Sequence, residues 1–203
     1  MAWRLVKPAV LVTVGLWLLL GLAYPLAMTG VSQIFFRYQA NGSLLKQGSV
    51  IIGAANVGQN FWGQKDYFWG RPSATVSLTT GKPDPYNAEN SSPSNLGPTN
   101  AALLQQIKTS VHQLLAASPG LRTSQIPLSL VESSGSGLDP DVTLGSALIQ
   151  IPRVAKNTGL SQQYLRALVK LATQTPQWGL FGVQQVNVLD LNLLVYKSLH
   201  KGS

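Results

Sequence analysis

The residues best placed to do chemistry lie in one run, Ser133-Ser134-Gly135-Ser136-Gly137-Leu138-Asp139-Pro140. Two glycines let backbone amides turn toward a common point, and a helix starting soon afterwards would favour an anion there. Ser134, Gly135, Ser136, Gly137 and Asp139 would be the contacts of a phosphate held in such a nest. The run is not a Walker A loop. It lacks G-K-[ST], hence the lysine and the Mg²⁺-binding hydroxyl of that motif. Asp139 and Asp141 would repel a phosphate. The same residues also serve as a plain strand-to-helix turn that needs no ligand.

Other chemistries have less to work with. His112 and His200 are the only histidines, and neither has a companion ligand at i+4, which argues against a metal site. G-x-S-x-G does not occur, and Ser134-Gly135-Ser136-Gly137 falls one residue short of it. The chain has no cysteine, so disulfides, thiolate catalysis and cysteine-held iron–sulfur clusters are excluded. Phe61, Trp62, Tyr67, Phe68 and Trp69 crowd nine positions beside Lys65 and Arg71. Stacked aromatics next to cations can bind a base or a sugar ring. More often they form core or interface.

The elements that must position these residues follow from periodicity. Leu44-Leu45 and Val50–Ile52 are β-prone runs separated by turn chemistry at Gln47-Gly48. Residues 76–100 show neither period and carry six prolines and glycines between Gly81 and Pro98, so an irregular connection is expected. Thr99 or Asn100 caps a helix over 101–117 whose Leu103, Leu104, Ile107, Val111, Leu114 and Leu115 share a face, stopped by Ser118-Pro119-Gly120. Ile126–Val131 reads as a short strand. Helices are expected from about Thr143 to Asn157, from Ser161 to about Thr173, and over 187–199 with Leu189, Asn192, Leu193 and Tyr196 packed inward. A turn and short strand fall between Pro176 and the last helix.

One stretch stands apart. Between Lys7 and Arg37 lie 29 residues without a charge, enough for roughly 43 Å of helix against a hydrocarbon core of about 30 Å. The run is about twice as long as the apolar part of a signal peptide, so a retained anchor is expected. Ala23, Ala27 and Gly30 leave one face small enough for a partner helix, and Pro25 predicts a kink. Arg4 and Lys7 precede the span while Arg37 and Lys46 follow it, a thin bias toward a cytoplasmic N-terminus. The net charge of +8 is spread singly along the chain, which excludes a nucleic-acid stripe. Charged residues make up only 11% of the chain against roughly 25% in soluble domains, so the surface is neutral-polar, partly covered by a partner, or both, a first hint of a subunit.

The expected fold class is a single N-terminal transmembrane helix plus one α+β (mixed α/β) extracytoplasmic domain. Residues 1–7 form a short cytoplasmic N-terminus, 8–36 the span and 37–203 the domain, with 76–100 irregular. The protein would be a single-pass component of the cell membrane in contact with lipid.

Six blocks then carry a family resemblance: GLAYPLAMTGVSQIFFRYQANGSL at 21–44, YFWGRPSAT at 67–75, PYNAENSSPSNLGPTN at 85–100, SSGSGLDPD at 133–141, IPRVAKNTGLS at 151–161 and VNVLDLNL at 186–193. In this order they resemble the C subunit of the Kdp-type potassium-importing P-type ATPase, with a longer Val76–Pro83 segment than the family pattern. The resemblance implies an accessory subunit with no activity of its own. Its partners would be a channel-like potassium-binding subunit, an ATP-hydrolysing pump subunit and a small single-span subunit, and K⁺ would be the transported ion. The chain lacks D-K-T-G-T and so is not the pump subunit. The family description implies a catalytic chaperone that raises the pump's affinity for ATP, with the Ser134–Asp139 loop as the nucleotide contact. A domain outside the cell could not meet cytosolic ATP. It would instead cap the outer pore mouth, with Tyr67, Trp69, Arg71, Tyr86, Asn87 and Asn95 as interface residues. A membrane-anchored binding protein, or a hydrolase using Ser136 or His112, is the alternative.

Overall fold

The computed structural model describes residues 3–200. The first two residues of the expected 1–7 terminus and the last three of the expected 37–203 domain lie outside the described residues. The chain divides into two units after Leu44.

The first unit is built on one long helix: α1 (Trp3–Leu18), a π turn at Leu19–Ala23, and α2 (Tyr24–Phe35). Together they span 33 residues with a mean hydropathy of 2.1 and no buried position in the apolar window, long and apolar enough to cross a membrane. The helix begins five residues before the expected Pro8. Pro8 falls in its second turn, where a missing N–H removes only the bond to Arg4. The π turn sits directly ahead of Pro25, whose ring and absent donor disturb the preceding turn, and Tyr24 N–H reaches back to Leu19 O. Thr29 Oγ1 donates to Pro25 O at 2.8 Å. Phe36 (φ −133°) ends α2, and the short α3 (Arg37–Ala40) follows. Asn41 donates to Gln33 Oε1 at 3.2 Å, and Tyr38 OH donates to Ser43 O at 3.1 Å, so the chain leaving the helix is folded back on itself.

The second unit opens with the hairpin β1 (Leu44–Gln47) and β2 (Val50–Ala54), turned at Gly48 with φ +62°. No helix or strand forms between residues 55 and 100. Within that stretch Val76–Pro83 closes on itself: Val76 bridges Pro83, and Ser77 N–H donates to Lys82 O at 2.9 Å. Then comes α4 (Ala101–Ala117), with Asn100 Oδ1 accepting from Ala102 N–H at 2.8 Å as its cap. Leu114 is buried, and Leu103, Ile107, Val111 and Leu115 are half-buried as the spacing predicts, whereas Leu104 is exposed.

The expected strand at Ile126–Val131 is absent. Thr123–Gln125 and Leu128–Leu130 form single 3₁₀ turns instead. Leu130 and Val131 are both buried although adjacent, which a two-residue period forbids, and Leu128 is exposed. β3 (Asp141–Thr143) follows. The single helix expected over 143–157 is two: α5 (Leu144–Leu148) and α6 (Ile151–Thr158). Pro152 makes the break, because it cannot donate to Leu148 O and its ring would collide with that carbonyl. Gly159 (φ +74°) ends α6, and Ser161 Oγ caps α7 (Gln162–Leu171) by accepting from Tyr164 N–H at 3.1 Å.

β4 (Thr173–Gln174) and β5 (Gln185–Asn187) complete an antiparallel sheet in the order β3-β5-β4, with Val186 opposite both Val142 and Thr173. The chain closes in α8 (Val188–Leu199), capped by Asn187. The core between sheet and helices includes Phe68, Trp69, Leu114, Leu130, Ile151, Val154, Leu165, Val186, Leu191 and Val195.

Candidate functional site

Three of the runs singled out above, 67–75, 85–92 and 133–141, meet in one knot of loops. Arg71 Nη1 lies 3.2 Å from Asp139 Oδ2, and Arg71 Nη2 donates to Ser133 O at 3.3 Å. Ser73 Oγ accepts from Tyr86 N–H at 2.9 Å, and Thr75 Oγ1 accepts from Asn87 N–H at 3.1 Å. Ser91 Oγ donates to Ser136 O at 3.1 Å. Tyr86 lies in the left-handed region (φ +64°), and its ring occupies a slot that two glycines keep open. A Cβ on Gly58 would stand 2.6 Å from Tyr86 Cε1, and one on Gly70 would stand 2.7 Å from its hydroxyl. That hydroxyl donates to Arg71 O. Burial, then Asp139, pushes the phenol well above the ordinary tyrosine range, with Arg71 acting the other way, so it remains a donor.

The Ser134–Asp139 loop is the hub of this knot. Ser134 and Gly137 are buried, Asp139 is half-buried, and only Gly135 and Ser136 are exposed. Gly137 has φ +69°, and a Cβ there would come within 2.5 Å of Thr75 Cγ2 and 2.8 Å of Ser92 O. Three amides in and beside the loop are engaged. Ser134 N–H donates to Pro72 O (3.4 Å), Leu138 N–H to Ser136 Oγ (3.1 Å) and Asp141 N–H to Asp139 Oδ1 (3.0 Å). The helix expected from about Thr143 starts there, directly after β3, with α5 beginning at Leu144. Thr143 Oγ1 accepts from Ser146 N–H at 3.2 Å to cap that helix. The run is a tight turn packed against residues 72–75 and 91–92, with Gly135 and Ser136 at the surface.

Trp69, expected at an interface, belongs to the core at 2% exposure. Its indole ring packs on Trp62 with centroids 4.9 Å apart, and its Nε1 donates to Gln64 O at 2.8 Å. Tyr67 is half-buried against Phe61, and burial followed by Asp66 and Tyr196 raises its phenol. Arg71, Tyr86 and Asn87 are half-buried in the knot, and Asn95 (φ +55°) is exposed. Ala23, Ala27 and Gly30 are exposed along the apolar helix. Their i, i+4, i+7 spacing keeps them on one face. His112 is exposed on α4. Among the described residues no group of three or more His, Cys, Asp or Glu could hold a metal ion.

Three polar side chains hold the aromatic run in place: Asn192, expected to pack inward, and Gln150 and Arg153, which sequence reasoning did not single out. Asn192 Oδ1 accepts from Phe68 N–H (2.8 Å) while its Nδ2 donates to Phe68 O (2.9 Å). Gln150 repeats the pattern one residue on, accepting from Trp69 N–H (2.8 Å) and donating to Trp69 O (3.0 Å). Arg153, 2% exposed, donates through Nη1 to Lys65 O (2.7 Å) and Tyr67 O (2.9 Å) and through Nη2 to Gln150 Oε1 (2.6 Å). Its guanidinium lies 4.4 Å from the Trp69 ring centre. Burial lowers its pKa to about 10, with Asp66 pulling the other way, so it stays charged at neutral pH. The available signal was a polar side chain on an apolar helix face: Arg153 between Ile151 and Val154, and Asn192 beside Leu191.

Two outcomes follow. Asn192→Leu leaves a buried N–H and a buried C=O of Phe68 without partners, at about 1–3 kcal/mol for each group. Chemical denaturation of the full chain in detergent should show a loss of at least about 2 kcal/mol. Asp141 bears the opposite kind of strain. Burial, then Asp139, raises its pKa, Asn187 offsets this in part, and Oδ1 is buried without a hydrogen-bond partner. A carboxyl whose pKa is raised on folding supports the fold while protonated, and that support is lost as pH rises above the ordinary carboxylate value of about 4. Asp141→Asn should therefore raise Tm at pH 7 and flatten the decline in stability between acidic and neutral pH. An unchanged profile would remove Asp141 as its source.

Comparison with known proteins gives a consistent result. The family described as KdpC: K+-transporting ATPase, c chain, matches residues 6–197. A potassium-transporting ATPase KdpC subunit of Rhodopseudomonas palustris (strain TIE-1) is 46% identical over 193 residues, covering 93% of this chain and 94% of the relative. KdpC subunits of Variovorax paradoxus (strain S110) and Methylobacterium nodulans (strain LMG 21967 / CNCM I-2342 / ORS 2060) are 47% and 46% identical over 190 and 192 residues. They cover 94% and 92% of this chain, respectively, and 94% of each relative. The chain belongs to the KdpC family, the c-chain subunits of K⁺-transporting ATPases.

Proposed function

We propose that the chain is a non-catalytic accessory subunit of a potassium-importing ATPase. The Trp3–Phe35 helix holds it in the membrane, and its domain docks outside the cell on the channel-like subunit at the outer mouth of the pore. The observation that carries this reading is the use made of the Ser134–Asp139 loop. Ser134 N–H bonds to Pro72 O, Leu138 N–H bonds to Ser136 Oγ, and a Cβ on Gly137 would strike Thr75 and Ser92. What remains accessible is Gly135 and Ser136, too little to cradle a triphosphate. A rigid body with few surface charges suits docking better than turnover. Ala23, Ala27 and Gly30 would seat the helix against a neighbouring span. The basic residues Arg4 and Lys7 ahead of that helix support a cytoplasmic N-terminus.

The competing role, direct assistance to the ATP-hydrolysing subunit through Ser134–Asp139, requires the domain on the cytosolic side. The absence of cysteine makes the two separable. Trp3→Cys and Ala116→Cys, introduced one at a time in the assembled complex, would be exposed to a membrane-impermeant thiol reagent in intact cells. Labelling at 116 and not at 3 is the expected outcome, and the reverse pattern would hand the loop to nucleotide binding. Deleting residues 41–203 while keeping the helix tests the role itself. The truncated chain should lower potassium affinity or fail to hold the complex together through purification. A complex intact in both respects would overturn the proposal.

A further inference from the structure

Residues 171–189 carry no charge, and the middle of that run is the most exposed apolar segment of the second unit. The loop joining β4 to β5 presents Trp178 at 81% exposure, Leu180 at 80%, Phe181 at 62% and Val183 at 67%. We propose that this tip inserts into the interfacial layer of the lipid bilayer, giving the domain a second membrane contact besides its helix.

Four observations favour lipid as the occupant. First, the tip is closed on itself. Gln177 and Phe181 exchange N–H···O bonds of 2.9 and 3.0 Å, and the amides of Gly179 and Leu180 donate to Pro176 O and Gln177 O. A segment entering a layer poor in water must satisfy its backbone internally, and these amides are satisfied. Second, the side chains are of the kind that partition to that layer. Trp178 packs edge-on against Phe181 with centroids 5.9 Å apart, and Leu180 and Val183 flank them.

Third, the foot of the hairpin lies beside the start of the domain. One groove is lined by Leu45, Lys46 and Gln47 together with Leu171, Thr173 and Gln174. Leu45 is ten residues beyond Phe35, a tether of at most about 35 Å when fully extended. Helix α3 and the bonds at Asn41 and Ser43 shorten it further. With the long helix in the bilayer, that tether sets an upper bound on the reach of Leu45 from the end of the span. Fourth, the foot is cationic. Lys46 and Lys197 line that groove with Asp190 as its single acid, Lys170 adjoins it, and Leu171 is 74% exposed. Lysines around an apolar tip suit anionic headgroups, with their stems along the apolar surface.

The test uses the full chain in its assembled complex, reconstituted in vesicles of phosphatidylethanolamine and phosphatidylglycerol. An environment-sensitive fluorophore is placed at Leu180→Cys, at Phe181→Cys and, as a control, at Ala116→Cys on α4. Lipids spin-labelled near the headgroup should quench both tip positions at least about twofold more than the control, with a blue-shifted emission. Lipids labelled deep in the acyl chain should quench less. Tip positions quenched no more than the control would overturn the proposal. So would a photocrosslinker at position 180 that yields another subunit of the complex in place of lipid.

Discussion

Everything in the domain depends on how a stretch of backbone with no helix or strand is made tolerable in the core. Residues 61–69 carry five aromatic rings inward, and with them the peptide groups of Lys65, Tyr67, Phe68 and Trp69. Each of those groups would cost about 1–3 kcal/mol if left bare. Gln150 and Asn192 answer with carboxamides, which have the same donor and acceptor pair as a peptide and so act as short substitutes for a neighbouring strand. Arg153 collects the carbonyls left over and lies against the Trp69 ring. It is held by carbonyls and a π face instead of a carboxylate, so the segment supplies the countering charge in dipoles. Because Gln150 and Arg153 belong to the α5–α6 junction and Asn192 to α8, this one set of bonds also fixes the helices to each other through the aromatic run.

The loop knot inherits its rigidity from that arrangement. Gly70 follows directly on Trp69, and Arg71, Ser73 and Thr75 then reach residues 84–92 and 133–139. Short polar side chains do most of this work. They replace the secondary structure that a proline-rich stretch cannot form, each hydroxyl or amide standing in for a backbone partner. A glycine is needed where two such strands of loop pass closest, as at Gly58, Gly70 and Gly137. Ser136, whose hydroxyl accepts from Leu138 N–H, and Gly137, which a Cβ would crowd, therefore have structural roles in the turn.

This bears on what could be read from the residues alone. The helices at 101–117 and 188–199 were legible because their apolar period and their caps, Asn100 and Asn187, are local. The break before Pro152 was equally local and could have been read from the missing donor. The misread strand at 126–131 shows the limit of a short apolar run, since four apolar residues in six fit a 3₁₀ turn at Leu128–Leu130 as well as a strand. The clamp by Gln150, Arg153 and Asn192 was out of reach for a different reason. Each joins a side chain to backbone groups 81 to 124 residues away, and a backbone group has no residue type to recognise. The family blocks marked where Trp69, Arg153 and Asn192 lie, but not Gln150, and did not say what they do.

The long helix raises a related question of satisfaction, in a solvent that offers no hydrogen bonds. Pro25 deprives one carbonyl of the preceding turn of its N–H, and the π turn at Leu19–Ala23 widens the helix at that place. Thr29 can bond Pro25 O but not that carbonyl. A span meant only to hold a domain at the surface would do better with an unbroken run of large apolar residues. The irregular turn instead lies next to Ala23 and Ala27, where side chains are smallest and another helix can approach closely. A neighbour bearing a donor at that depth would complete the turn, whereas lipid would leave it incomplete. The part of the helix least suited to lipid is also the part best shaped for protein, which is the arrangement expected of a subunit and not of a tether.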